Sequence, residues 1–274
     1  MQIIHTVAEL RAALGARQRT VLVPTMGNLH AGHLSLVATA RAHGGTVVAS
    51  IFVNRLQFAP HEDYAVYPRT FERDCELLAA GGCDIVFAPS DHEVYPEAQG
   101  FTVRPPRELA DTLEGEVRRE FFTGVCTVVL KLFSMVQPVK AVFGKKDYQQ
   151  LMVIRGMVRQ LALPVEIIAA DTVRDAAGLA LSSRNGYLND AQRAQAAQLH
   201  QCLKTLAAAV KSGRRDWSSL EREAREFLSA RNWQPDYVAI RRRIDLAEPA
   251  ADEPLVALAA ARLGDTRLID NLEL

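Results

Sequence analysis

The sequence predicts an α/β chain: a doubly wound parallel sheet followed by a smaller C-terminal α+β unit. Short, continuously apolar runs alternate with helical spacing through the first two-thirds. Polar, glycine-bearing segments fall where those runs end, and the texture changes after Asn185-Gly186. Strands buried on both faces read as unbroken apolar runs, and their alternation with helices implies a parallel sheet with helices on each side.

The first such run is Thr20 to Pro24, followed by helical spacing from Leu34 to His43. Thr46 to Val53, rich in valine and isoleucine, reads as a buried strand. Phe71 to Ala80 reads as a helix closed by Gly81-Gly82, and Asp84 to Ala88 as the next strand. A helix is expected from Cys126 to Val136, a strand from Lys140 to Phe143, a helix from Tyr148 to Leu161 and a strand from Val165 to Ala169. Beyond Gly186, Asn189-Asp190 can cap one long alanine-rich helix reaching Lys211. A second helix, Ser218 to Ser229, precedes strands at Asp236 to Ile240 and Leu255 to Ala259. The expected domains are 1–185 and 186–274.

Composition narrows the function classes. With 274 residues and 49% hydrophobic content the chain can bury a normal core. Lys+Arg and Asp+Glu both total 32, so no overall field favours nucleic acid or an anionic membrane. Any anion must be bound by a local arrangement. No apolar run approaches the ~20 residues of a membrane-spanning helix. Cys75, Cys83, Cys126 and Cys202 form no C-x-x-C pair, and the opening residues do not read as a secretory leader. Reduced, buried cysteines in a cytoplasmic protein are expected.

Four polar segments carry the chemistry. In Met26-Gly27-Asn28-Leu29-His30-Ala31-Gly32-His33, after the first core strand, two glycines let the backbone approach a ligand and His33 stands where the next helix begins. Two imidazoles there can donate hydrogen bonds to a transferring phosphoryl group, or protonate a leaving pyrophosphate, since an unperturbed imidazole titrates near ~6.5. The three-residue spacing of His30 and His33 also permits metal ligation, but no third ligand is evident locally. Asn54 and Gln57, after the next strand, are neutral donor–acceptors suited to a hydroxyl or carboxyl of a small substrate. Gly144-Lys145-Lys146-Asp147 ends a strand with two ammonium groups and a helix-capping residue, an arrangement suited to a triphosphate without the spacing of a Walker loop. Leu181-Ser182-Ser183-Arg184 offers two hydroxyls and a guanidinium able to grip phosphate oxygens bidentately. As isolated pieces these would be ordinary turns, but four of them at successive strand ends point to one ligand site.

These segments, with Tyr67-Pro68-Arg69 and Phe143 through Gln150, make the chain resemble the pantothenate synthetase (pantoate–β-alanine ligase) family. That family lies within the nucleotidyltransferase superfamily, and the resemblance extends over nearly the whole length. It implies a Rossmann-like sheet, ATP as co-substrate with Mg²⁺, and pantoate and β-alanine as substrates. It also implies a pantoyl-adenylate intermediate with release of pyrophosphate and AMP, and a homodimer in which residues 186–274 act as a lid and dimer element. By matching position, Met26 to His33, Gly144 to Asp147, Val173 and Leu181 to Arg184 would line the ATP site. Gln57, Gln150 and Asn54 would meet pantoate or β-alanine. His33 takes the family's proton-donor position, with His30, Lys146 and Arg184 stabilising phosphate charge.

The chain departs from the family where Arg118-Arg119-Glu120-Phe121-Phe122-Thr123-Gly124 replaces Arg-Pro-Gly-His-Phe-x-Gly, and no role is carried over to that loop. Arg55 stands where proline is common, and Leu181 where methionine is. An adenylyltransferase acting on a phosphorylated substrate would use the same histidine loop, but would call for cationic groups where Gln57 and Gln150 stand. A nucleotide-binding module without turnover is the alternative outside enzymes.

Overall fold

The computed structural model describes residues 1–15, 19–59, 62, 64–250 and 253–274. The chain forms two compact units. The first is Met1–Pro106, Arg118–Gly144 and Val153–Ala170; the second is Arg107–Val117, Lys145–Met152 and Asp171–Leu274.

In the first unit six parallel strands, β1 (Gln2–Ile4), β2 (Thr20–Thr25), β3 (Thr46–Ile51), β4 (Ile85–Phe87), β5 (Lys140–Gly144) and β6 (Glu166–Ala170), are ordered β1-β4-β3-β2-β5-β6. The apolar runs are continuous because both faces are covered. Val21, Val23, Val47, Ala49 and Val86 pack with Leu29 of the loop after β2 and with Val37, Ala40, Cys75 and Leu78 from the helices on one side. Leu22, Val48, Ile85, Phe87 and Ala141, of the opposite parity, are equally inaccessible. Order reverses between β2 and β5, and open α/β sheets bind ligands outside the carboxyl ends of strands at such a point.

Two helices start earlier than their spacing suggests: Ala31–Ala42 and Phe121–Val136 each carry a glycine, Gly32 or Gly124, in the first turn. Glycine's low propensity hides those turns from sequence reading. The helix Val7–Leu14 is not among the expected elements, although Val7, Leu10 and Leu14 stand at helical spacing behind a complete capping box between Thr6 and Glu9.

The second unit is built on the antiparallel meander β7 (Trp233–Arg242), β8 (Leu255–Leu263) and β9 (Thr266–Glu273). Leu199, Leu203, Leu206, Leu220 and Leu228 pack on one face against Val238, Ile240, Ala257 and Ala259. Leu113, Tyr148 and Met152 cover the other, against Tyr237, Ala239, Val256 and Leu258. This double burial explains why β8 reads as unbroken apolar sequence although it is antiparallel. The single helix expected from Asn189 is two helices, Asp190–Ala196 and Gln198–Lys211. Asn189 does cap the first, but the chain tightens at Ala197, whose N–H turns to Gln195 O. An alanine within an alanine-rich run leaves no mark of such a break. Among the described residues no helix is long and apolar enough to cross a membrane.

Candidate active site

The loop leaving β2 is set by buried hydrogen bonds. Thr25 donates its hydroxyl to Ser50 O (2.7 Å) and accepts from Gly27 N (3.2 Å). Gly27 (φ 80°) and Asn28 (φ 51°) then take left-handed conformations. At Gly27 an added Cβ would also stand 3.0 Å from Asp74 Oδ2, a tight contact, so the positive φ and the close approach both favour glycine there. Asp74, fully buried, accepts from Asn28 N and Leu29 N, each at 2.8 Å, and from the Thr70 hydroxyl at 3.1 Å. Its carboxylate is therefore the floor on which the loop is shaped.

The sequence reading missed Asp74, although a signal was present. In the helix Phe71–Ala80 it lies at helical spacing between Phe71, Cys75 and Leu78, so it is the charged group on an apolar face.

His30 is the N-cap of Ala31–Ala42, and His33 lies at the third helical position rather than at the start. His30 Nδ1 accepts from Gly32 N (3.1 Å) and His33 Nδ1 accepts from His30 N (3.3 Å). The rings stand 4.1 Å apart between centroids. An imidazole that accepts at Nδ1 carries its proton on Nε2 when neutral, so backbone amides set both rings as Nε2–H donors.

The turn after β3 lies beside this loop. Gln57, in the 3₁₀ turn Arg55–Gln57, donates Nε2–H to Met26 Sδ at 3.1 Å, a soft acceptor that a substrate oxygen can replace. Asn54, expected to touch substrate, is instead 1% exposed, and its side chain is taken up by the protein. Its Nδ2 donates to Gln57 Oε1 (3.0 Å) and Gly124 O (3.2 Å), while Oδ1 accepts from Tyr95 OH (2.7 Å) and Leu56 N (3.3 Å). In this geometry it orients Gln57.

The divergent loop has a definite structure. Arg118 reaches Glu62 with Nε (2.6 Å) and one terminal nitrogen (2.8 Å), donates to Gln57 O (3.1 Å) and lies 3.7 Å over the Phe121 ring. Phe121 thus serves as the face on which Arg118 stacks. Gly124 is needed because the helix passes against the 3₁₀ turn: an added Cβ would stand 2.1 Å from Leu56 O.

Gly144 closes β5 in the first unit. The remaining predicted residues belong to the second unit. Asn271 donates Nδ2–H to Lys145 O (2.8 Å) and Lys146 O (2.9 Å), holding the 3₁₀ turn Lys145–Asp147 against β9. Lys145 is engaged internally, its ammonium 2.8 Å from Asp171 and 3.1 Å from Glu273, and the bond to Asp171 first, then Glu273, raises its affinity for the proton. Lys146 has Asp147 Oδ1 at 3.9 Å, so of the two lysines it is the one less committed to carboxylates. Val173 O accepts from Leu181 N (3.0 Å), which brings Val173 to the start of Leu181–Arg184. Ser182 caps the 3₁₀ turn Ser183–Tyr187, its hydroxyl accepting from Arg184 N (3.3 Å). Gln150 is half-buried on the helix Tyr148–Gln160, whereas its neighbour Gln149 is buried and bonded to Glu114 N, Leu109 O and Thr112 O.

Comparison with known proteins places the chain in a family. Residues 2–273 match the model of the family described as pantoate-beta-alanine ligase. A pantothenate synthetase of Leptothrix cholodnii is 61% identical over 285 residues, with 100% of both chains covered. The crystal structure of a pantoate-beta-alanine ligase (pantothenate synthetase) from Thermus thermophilus is 46% identical and superposes with a TM-score of 0.95, covering 100% of this chain and 99% of that one. A pantoate-beta-alanine ligase from Francisella tularensis, complexed with beta-gamma ATP and beta-alanine, is 30% identical with a TM-score of 0.82, covering 100% and 97%. The chain therefore belongs to the pantoate–β-alanine ligase family.

Proposed function

We propose that this enzyme joins pantoate to β-alanine by way of a pantoyl adenylate, using ATP. The pantoate carboxylate attacks the α-phosphorus of ATP, and the bond to the β-phosphate breaks with release of pyrophosphate. The β-alanine amine then attacks the acyl carbon, loses a proton to solvent, and AMP leaves with the former carboxylate oxygen. The observation that carries the reading is the pairing of two Nε2–H imidazole donors with the neutral amide of Gln57 beside Met26. The first set suits phosphoryl oxygens; the second suits a hydroxy acid without phosphate. ATP enters the proposal from the Francisella relative's complex and from the donor chemistry of Met26 to His33, Gly144, Lys146, Val173 and Ser182 to Arg184. Gln57 and Gln150 hold pantoate, and Lys146 and Arg184 neutralise phosphate charge.

Among the described residues no three His, Cys, Asp or Glu side chains cluster as a metal cage. Mg²⁺, where it accompanies ATP, would neutralise phosphate charge beside Lys146 and Arg184.

The position of His33 refines its role. An added proton on Nδ1 would face the His30 N–H, so His33 acts as a neutral Nε2–H donor to the phosphates rather than by complete proton transfer. His33→Ala should lower the adenylation rate ~10²-fold or more, the usual effect of removing one oxyanion donor. His33→Gln, which restores an N–H near the Nε2 position, should recover part of that loss. A Gln variant as slow as Ala would return His33 to the role of acid.

The adenylate is tested with pantoate labelled with ¹⁸O in its carboxylate, ATP and β-alanine. One label is expected in AMP; label in inorganic phosphate would instead mean an acyl phosphate and overturn the reading. A homodimer, with residues 186–274 as lid and dimer element, completes the proposal and is checked by light scattering.

A further inference from the structure

Two backbone groups of fixed polarity determine how Gln57 is presented. Leu56 N–H can only donate and Gly124 C=O can only accept, so the Asn54 amide must have Oδ1 toward Leu56 and Nδ2 toward Gly124. Asn54 Nδ2 therefore donates to Gln57, which makes the near atom of Gln57 its Oε1 and leaves Nε2 as the face toward Met26. Of the four hydrogen bonds that the Asn54 amide makes among the described residues, the shortest is the one from Tyr95 OH to Oδ1, at 2.7 Å. Leu56 N, at 3.3 Å, is a much weaker restraint on that oxygen.

Tyr95 follows the short helix Asp91–Val94, 41 residues from Asn54, and is 3% exposed. Its ring lies near Phe52, with the Arg55 guanidinium 5.1 Å and the Lys131 ammonium 5.0 Å from its centroid. Burial, with Asp91 nearby, raises the phenol well above its ordinary range, so the hydroxyl keeps the proton it donates.

We propose that Tyr95 is a positioning residue for substrate recognition. Its hydroxyl locks the Asn54 amide, which locks Gln57 with Nε2–H outward, so that the enzyme offers a hydrogen-bond donor to an oxygen of the hydroxy acid. Without that bond the Asn54 amide keeps its orientation but is held only by its longer bonds to Leu56 N and Gly124 O, so Gln57 Nε2–H is presented less firmly to the substrate oxygen. This rests on Gln57 as a contact of pantoate, and the two claims separate experimentally.

The test compares Tyr95→Phe, Gln57→Ala and the double variant. Tyr95→Phe keeps the ring and its cationic neighbours and removes one hydroxyl. It should raise the KM for pantoate ~3- to 10-fold, the worth of one ordinary hydrogen bond, while the KM for ATP stays within about twofold. In the Gln57→Ala background the same change should have no further effect on the KM for pantoate, a coupling that a merely structural role would not produce. If Gln57→Ala leaves the KM for pantoate unchanged, the substrate contact is wrong and the positioning role falls with it. If Gln57→Ala raises it but Tyr95→Phe does not, or does so equally in both backgrounds, Gln57 stands and the role of Tyr95 is overturned. Asn54→Asp supplies a second route should Tyr95→Phe not fold. A carboxylate cannot donate to Gln57 Oε1, so the Gln57 amide should reverse and the KM for pantoate rise further than in Tyr95→Phe; a normal KM would also overturn the proposal.

Discussion

Asp74→Asn should reduce pantothenate formation ~10²-fold or more and lower stability by about 1–3 kcal/mol, although the two side chains are nearly the same shape. Asp74 accepts from Asn28 N, Leu29 N and Thr70 Oγ1 with no exposure to solvent. An asparagine has one accepting oxygen, so one loop amide would face an NH₂ group and lose its bond in a place where water cannot replace it. The loop relaxes by moving Asn28 and Leu29, and His30 and His33 move with them. A misplacement of ~1 Å is enough to account for the rate. Denaturant unfolding and a coupled rate assay measure the two effects separately. A variant with wild-type activity would show that Asp74 does not shape the histidine loop.

Gly124→Ala should be nearly as damaging, although it adds one methyl group to a helix and alanine is the better helix former. The new Cβ would stand 2.1 Å from Leu56 O, 2.5 Å from Leu56 C and 2.8 Å from Gln57 N, all backbone atoms that cannot rotate away. The helix Phe121–Val136 and the turn Arg55–Gln57 must separate, which stretches the bond from Asn54 Nδ2 to Gly124 O and shifts Gln57. A cost of about 1–3 kcal/mol or more is expected from such overpacking, with the KM for pantoate rising more than that for ATP. Gly100→Ala, where no atom lies within 4 Å of the added carbon, is the control and should leave both constants unchanged. An active Gly124→Ala enzyme with an unaltered KM for pantoate would remove the close approach from the account of this site.

The α/β class, the order of most elements and the residues of the histidine loop were legible because each has a local cause. Val47 to Ala49 must be buried on both faces to be so apolar, and glycine at position 27 answers a backbone that turns left-handed there. The family resemblance likewise rested on contiguous motifs. Less legible were relations between residues far apart in the chain. Nothing near Asn54 announces that Tyr95 and Gly124 will occupy its amide. Lys145 and Lys146 are indistinguishable in sequence until Asp171 and Glu273, one of them 128 residues away, pair with the first. Phe121 looked like the loss of a histidine, and only the placement of the Arg118 guanidinium over its ring gives it a part. Local patterning sufficed for what depends on burial and backbone conformation. Which polar groups remain available for a ligand was decided by the tertiary structure, because a hydrogen bond or ion pair is satisfied by whatever partner the fold delivers, at any separation along the chain.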